Sequence, residues 1–175
     1  MQTAYGAISI ASERLRTMLS KCTYWQRFAG RDWTEAEALE RIYLDTTEHL
    51  DDIVDNPANR PFAVISRQSP VRWDAISRGL YAPSGMLWVE FHRDSPVIKP
   101  EDPGDSEREY ENDVGRIVHT GDAQAPGLLD LSAMGNYIDI LSITAEGPMR
   151  AAPDMVAIIG DAWLYYLDVQ WGTRR

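Results

Sequence analysis

Three histidines, one cysteine and a surplus of carboxylates are the residues of this chain best suited to chemistry. His49, His92 and His119 stand far apart, with no pair at i, i+4 and no Glu-flanked zinc pattern. Cys22 ends an apolar helical stripe, which marks it as a small buried hydrophobe rather than a thiolate nucleophile. A single cysteine also excludes an intramolecular disulfide and a Cys-based zinc site. No Gly-x-Ser-x-Gly elbow is present, nor a glycine-rich phosphate cradle or an Asp-x-Asp-x-Asp-Gly calcium loop. Asp51-Asp52 and the series Asp102, Asp105, Glu107, Glu109, Glu111 and Asp113 could hold an acid/base pair of the glycosidase kind. Most of that series lies on a helix with an apolar inner face, so a solvated face is expected. No catalytic residue, metal ligand or cofactor site is assigned.

The elements that would carry these residues follow from periodicity. Ala11, Leu15, Met18 and Cys22 share a helical face, with Ser9 or Ser12 as cap. Asp32-Trp33-Thr34-Glu35 resembles a capping box, with Asp32 as cap, Glu35 reaching back, and Ala36, Leu39, Ile42 and Tyr43 facing inward. Residues 45–60 are expected as loop, and 61–66 as a short buried strand. In residues 85–92, Leu87, Val89 and Phe91 face the core, while Met86, Trp88, Glu90 and His92 line the other side. Residues 94–104 form a Pro-rich connector. A helix starts at Asp105, with Tyr110, Val114, Ile117 and Val118 inward and Gly115 allowing close approach to a sheet. One helical turn is expected at 128–134. Strand 137–145 breaks its alternation near Leu141, which a bulge or burial on both sides would explain. Residues 147–154 are expected as a turn-rich connector. The last strand, 162–171, sets Trp163, Tyr165, Leu167, Val169 and Trp171 on one face.

These elements predict an α/β (α+β) domain over residues 1–175, with an antiparallel or mixed sheet of about four strands flanked by helices. Apolar residues on both faces of the strands predict that the second sheet face is covered, with a neighbouring subunit as one possible cover. Residues 67–84 alternate and are bounded by turn residues, so they are expected to form an exposed hairpin arm. Arg67, Arg72 and Arg78, with Trp73 among them, make this arm the candidate protein interface, because Arg and Trp are typical binding hot spots. Trp88 is a further interface candidate. Trp25 and Trp33, outside the strong strands, could also face a partner.

Composition narrows the function classes. The 175 residues carry 17 Lys+Arg against 27 Asp+Glu, a net charge of −10. Such a balance disfavours gripping nucleic acid or an anionic membrane. No apolar run approaches the roughly 18 residues of a membrane span, and residues 1–6 lack the basic and apolar regions of a signal peptide. A cytoplasmic site of synthesis and assembly is expected.

Several stretches together resemble a known family. They are Thr23–Gly30, Ala36–Tyr43, Arg60–Ile65, Gly85–Phe91, Tyr110–Gly115, Tyr137–Ile140, Glu146–Arg150 and Asp168–Gly172. The pattern resembles the small tail terminator or tail completion proteins of tailed bacteriophages over nearly the whole chain. The resemblance implies a sheet flanked by helices and assembly into a ring, typically hexameric, at the head-proximal end of the tail. It implies a virion component whose partners are copies of itself, the tail tube protein and the head-side connector or stopper, with DNA only as passing cargo and no membrane. It implies steric capping without bond chemistry and without a cofactor. A connector or stopper subunit is the nearest alternative. A small α/β enzyme or ligand-binding domain, or a non-viral adaptor, stands in another class.

Overall fold

The computed structural model describes residues 6–96, 99–135, 138–159 and 161–172. Tyr137, expected to begin a strand, and residues 1–5 lie outside the described residues, as do residues 97–98 of the expected connector.

Helix α1 (Ala7–Lys21) leads into α2 (Thr23–Gln26), α3 (Glu35–Glu40), strand β1 (Ile42–Leu44) and α4 (Leu50–Val54). Strands β2 (Phe62–Arg67), β3 (Arg72–Ser77) and β4 (Leu80–Asp94) follow, then helices α5 (Asp105–Val118) and α6 (Leu128–Ala133). Strand β5 (Asp139–Arg150), helix α7 (Pro153–Ile159) and strand β6 (Ala162–Gly172) close the order. The architecture is mixed α/β with an open six-stranded sheet ordered β1-β2-β4-β6-β5, to which β3 joins through β4 alone. Only β1 and β2 run parallel; the other pairs are antiparallel.

The core lies on one face of this sheet. Leu15, Met18 and Leu19 of α1, Trp25 of α2, and Tyr110, Val114 and Ile117 of α5 pack on Leu87, Val89, Phe91, Leu167 and Val169. Each large apolar side chain buried here contributes roughly 1.5–3 kcal/mol. Rings dominate the centre: Trp25, Phe28 and Phe91 lie 5.1–5.8 Å apart, centroid to centroid. The polar handles are satisfied. Trp25 Nε1 donates to the carbonyl of Ala38 at 3.0 Å, and Tyr110 Oη donates to the carbonyls of Phe91 and Trp163 at 3.1 and 3.3 Å. Tyr110 thereby pins α5 to the two central strands.

Several local expectations are corrected. The sheet has six strands rather than about four. One addition is β1: α3 stops at Glu40, and Ile42–Leu44 pair alongside Ala63–Ile65 instead of continuing the helix. Ala36 is consequently exposed, and Ile42 is buried as a strand residue. The capping box sits two residues later, with Thr34 as cap and Glu37 reaching back. Tertiary packing explains the shift. The Trp33 ring packs at a tilt, 5.4 Å from that of Trp25, and the Trp33 amide donates to the carbonyl of Gln26, which holds residues 32–33 outside the helix. Helix α1 is preceded by Gly6, with no side-chain cap from Ser9 or Ser12. Gly115 faces open space, not the sheet. The expected loop 45–60 contains α4 and a short 3-10 turn, and the expected connector 147–154 is the end of β5 and the start of α7.

Other expectations agree with the structure. Leu87, Val89 and Phe91 are fully buried, and every predicted core residue of β6 is buried. The pairing of β5 with β6 slips between Ile140 and Ser142, so of the two explanations for the broken alternation near Leu141 it is the bulge that holds. A second slip between Glu146 and Met149 absorbs Gly147-Pro148, where a ladder amide is missing.

Candidate protein interface

β2 and β3 form a nearly continuous strand alongside β4, interrupted at residues 68–71. Arg67 pairs with Leu87, and the register resumes at Arg72 with Ser84. Beyond Gly85, β4 loses its other neighbour, because β6 ends its pairing there at Trp171. Residues 72–84 are therefore a two-stranded hairpin projecting past the sheet. Ser77 pairs with Leu80, leaving Arg78-Gly79 as the connection, and Gly79 takes φ +79°, a conformation that side chains disfavour.

The arm exposes apolar surface. Trp73 is 57% exposed, Ile76 52%, Leu80 61% and Tyr81 63%, and these are the four most exposed large hydrophobic residues among those described. Its charge is also distinctive. Residues 67–84 hold Arg67, Arg72 and Arg78 against Asp74, so 3 − 1 = +2, in a chain of −10. Arg72 Nε donates to Asp74 Oδ1 at 2.9 Å within the arm. At the arm's root, the Nε of Arg67 donates to Asp45 Oδ2 at 3.0 Å.

The structure thus gathers Arg72, Trp73 and Arg78 on the arm and sets Arg67 where the arm leaves the sheet. Trp88 stands elsewhere, half-buried on the sheet face opposite the core, with its ring 5.0 Å from Tyr166. Of the two tryptophans outside the strands proposed to face a partner, Trp25 is fully buried and Trp33 is half-buried against it. Sequence reasoning did not single out Ile76, Leu80 and Tyr81 as exposed. The usable signal was Gly79 between two alternating runs, which marks a hairpin whose paired residues have no third strand to cover them.

The residues suited to chemistry remain dispersed. His49 is exposed, 3.8 Å from Asp52 through Nδ1. His119 Nδ1 lies 2.8 Å from Asp130 Oδ1. His92 is buried, stacked on Phe62 at 4.5 Å and hydrogen-bonded to Glu90 through Nε2. Among the described residues, no group of three or more His, Cys, Asp or Glu side chains is placed to hold a metal ion. Burial, and then the charge of Asp130, pushes the Cys22 thiol far above its ordinary range. Glu107, Glu109 and Glu111 face solvent, and Asp113 is half-buried, its carboxyl raised by that burial. Burial would also raise Asp130, but bonds from the amides of Thr120, Gly127 and Gly121 and the Thr120 hydroxyl prevail, and its carboxyl is held low. Asp130 thus organises the 119–127 loop. A groove of about 520 Å³ runs between the start of α1 and the end of β1, past Ile10, Arg14, Leu44 and Arg67. It brings together no pair of carboxylates from the acidic helix and no histidine.

No described helix is long and apolar enough to cross a membrane. Compared with protein-family models and with curated proteins, the chain matches none.

Proposed function

We propose that this chain is a virion structural protein, a tail terminator of a tailed bacteriophage that caps the head-proximal end of the tail tube as a ring and joins it to the head-side connector. One observation carries the reading: the chain's most exposed apolar side chains are concentrated on a projecting, positively charged arm of an otherwise acidic protein. Burying four large side chains against a partner supplies a driving force that exposing them forfeits. The arm is therefore the subunit contact, and the mechanism is steric capping by complementary surfaces. The acidic remainder suits a channel wall that repels passing DNA, and a basic channel wall in the assembled ring would remove that element.

The test is an electron micrograph of the purified protein, alone and added to polymerising tail tube. Closed rings and tubes arrested at a fixed length are expected. Arg72→Glu or Trp73→Ala should abolish both while leaving the circular dichroism spectrum of the monomer unchanged. Tubes that grow at the same rate with and without the protein would refute the assignment.

A further inference from the structure

The face of the sheet opposite the core is closed at one end only. Leu164, Ala162 and Ala151 cluster there with Val54, Met149 and Tyr166, and His92 stacks on Phe62. Toward the arm, the face is open. Trp88 stands opposite Asp168, and Glu90 and Glu146 flank Tyr166 on its two neighbouring strands. Trp88, Glu90, Tyr166 and Asp168 are half-buried and Glu146 is exposed. Outside the arm, none of the strand residues that the register sets on this side is a lysine or an arginine. Toward the arm, the described strand residues of this face therefore combine two adjacent rings with three carboxylates and no lysine or arginine. Asp168 Oδ1 is buried there with no hydrogen-bond partner among the described residues. A buried acceptor left unpaired is costly, and this carboxylate stands beside the two rings. Burial, and then the charges of Glu90 and Glu146, pushes the Tyr166 phenol up to about 12.

We propose that the arm of one copy seats on this open aromatic and acidic face of a second copy through the side of the arm that carries Arg72, with Arg72 and Arg78 meeting the carboxylates of Glu146 and Asp168 beside the rings of Trp88 and Tyr166. The inference rests on the reading of the arm as the subunit contact and adds where it lands. Charge complementarity selects a second copy as occupant. Segment 67–84, the arm with its root, is +2, the rest of the chain is −10 − 2 = −12, and the face contributes carboxylates beside rings that also accept guanidinium groups. Arm and face are different patches of the same molecule, so the contact is head-to-tail. Such a contact closes into a ring when its rotation permits.

The experiment uses full-length chains and light-scattering mass. The arm variant Arg72→Glu/Arg78→Glu retains an intact face, and the face variant Glu146→Lys/Asp168→Lys retains an intact arm. Each alone should be monomeric, and their equimolar mixture should form a dimer, because one intact arm meets one intact face. If the face variant assembles as the parent does, the landing site is wrong while the arm reading survives. An arm variant that assembles as the parent does overturns both. A mixture that stays monomeric overturns the head-to-tail pairing. A parent chain that is monomeric at its highest soluble concentration overturns the choice of a second copy. Should Asp168→Lys unfold the protein, Glu146→Lys alone, on an exposed side chain of an edge strand, is expected to raise the dissociation constant at least tenfold. No change in that constant would also refute the landing site.

Discussion

The two halves of β4 obey opposite rules. From Gly85 to Asp94 the strand pairs with β6 throughout and with β2 over most of its length, and Leu87, Val89 and Phe91 are fully buried under the helices. From Leu80 to Ser84 it pairs with β3 alone, and Leu80 and Tyr81 are more than half exposed. The same backbone conformation serves both halves, so strand formation explains neither the burial nor the exposure. What differs is the number of neighbours. An isolated two-stranded ribbon has marginal stability in water, and apolar residues on it add little to the monomer. Their free energy becomes available only when another surface covers them.

Substitutions in the two halves should therefore separate folding from assembly. The largest effect is expected at Phe91→Ala, which removes a ring packed against Trp25 and Phe28 and should cost about 3–5 kcal/mol in urea-induced unfolding. A cost below about 1 kcal/mol would show that the ring cluster does not hold the helices to the sheet. Next is Gly127→Ala. A Cβ there would lie 2.8 Å from the carbonyls of Arg116 and Ile117, so the loop must shift, at about 1–3 kcal/mol in the same measurement.

Smaller again is the contribution of Asp130. Its carboxyl is depressed in the folded protein relative to the ordinary 3.8. The unfolded state therefore binds its proton first as pH falls, and the stabilisation is fully present above about pH 4 and is lost through the folded value below it. Asp130→Asn should flatten that acid limb of the urea midpoint and cost about 1 kcal/mol at neutral pH. An unchanged acid limb would mean that the loop is held by other groups. The smallest effect on folding is expected at Trp73→Ala, within about 0.5 kcal/mol by urea unfolding under conditions where the chain is monomeric, although this variant should assemble poorly. A large loss of monomer stability there would erase the contrast between the halves of β4.

Much of this organisation is legible in local pattern. The helical stripe Tyr110, Val114, Ile117 and the alternation from Trp163 to Trp171 each identify a buried face, because a side chain's direction repeats every 3.6 or 2 residues whatever lies beyond it. The interrupted alternation near Leu141 marks the place of an irregularity, and the pairing of β5 with β6 decides that it is a bulge. The arm residues Arg72, Trp73 and Arg78 could be named from type and spacing. By contrast, β1 could not be read, since three residues continuing a helical pattern become a strand only when Ala63–Ile65 lie beside them. The position of the α3 cap was likewise set from outside, by Trp33 packing on Trp25.

By itself, then, the sequence determined the α/β class, the core faces of the long elements, the acidic balance and the basic, apolar character of segment 67–84. Tertiary structure alone decided that β4 outruns β6, which leaves Leu80 and Tyr81 without cover. It alone set Trp88, Glu90, Tyr166 and Asp168 together on the uncovered face of the sheet. The physical reason is range. Side-chain direction is a property of a few consecutive residues, whereas coverage and juxtaposition depend on pairings between residues about eighty positions apart, which no local pattern encodes.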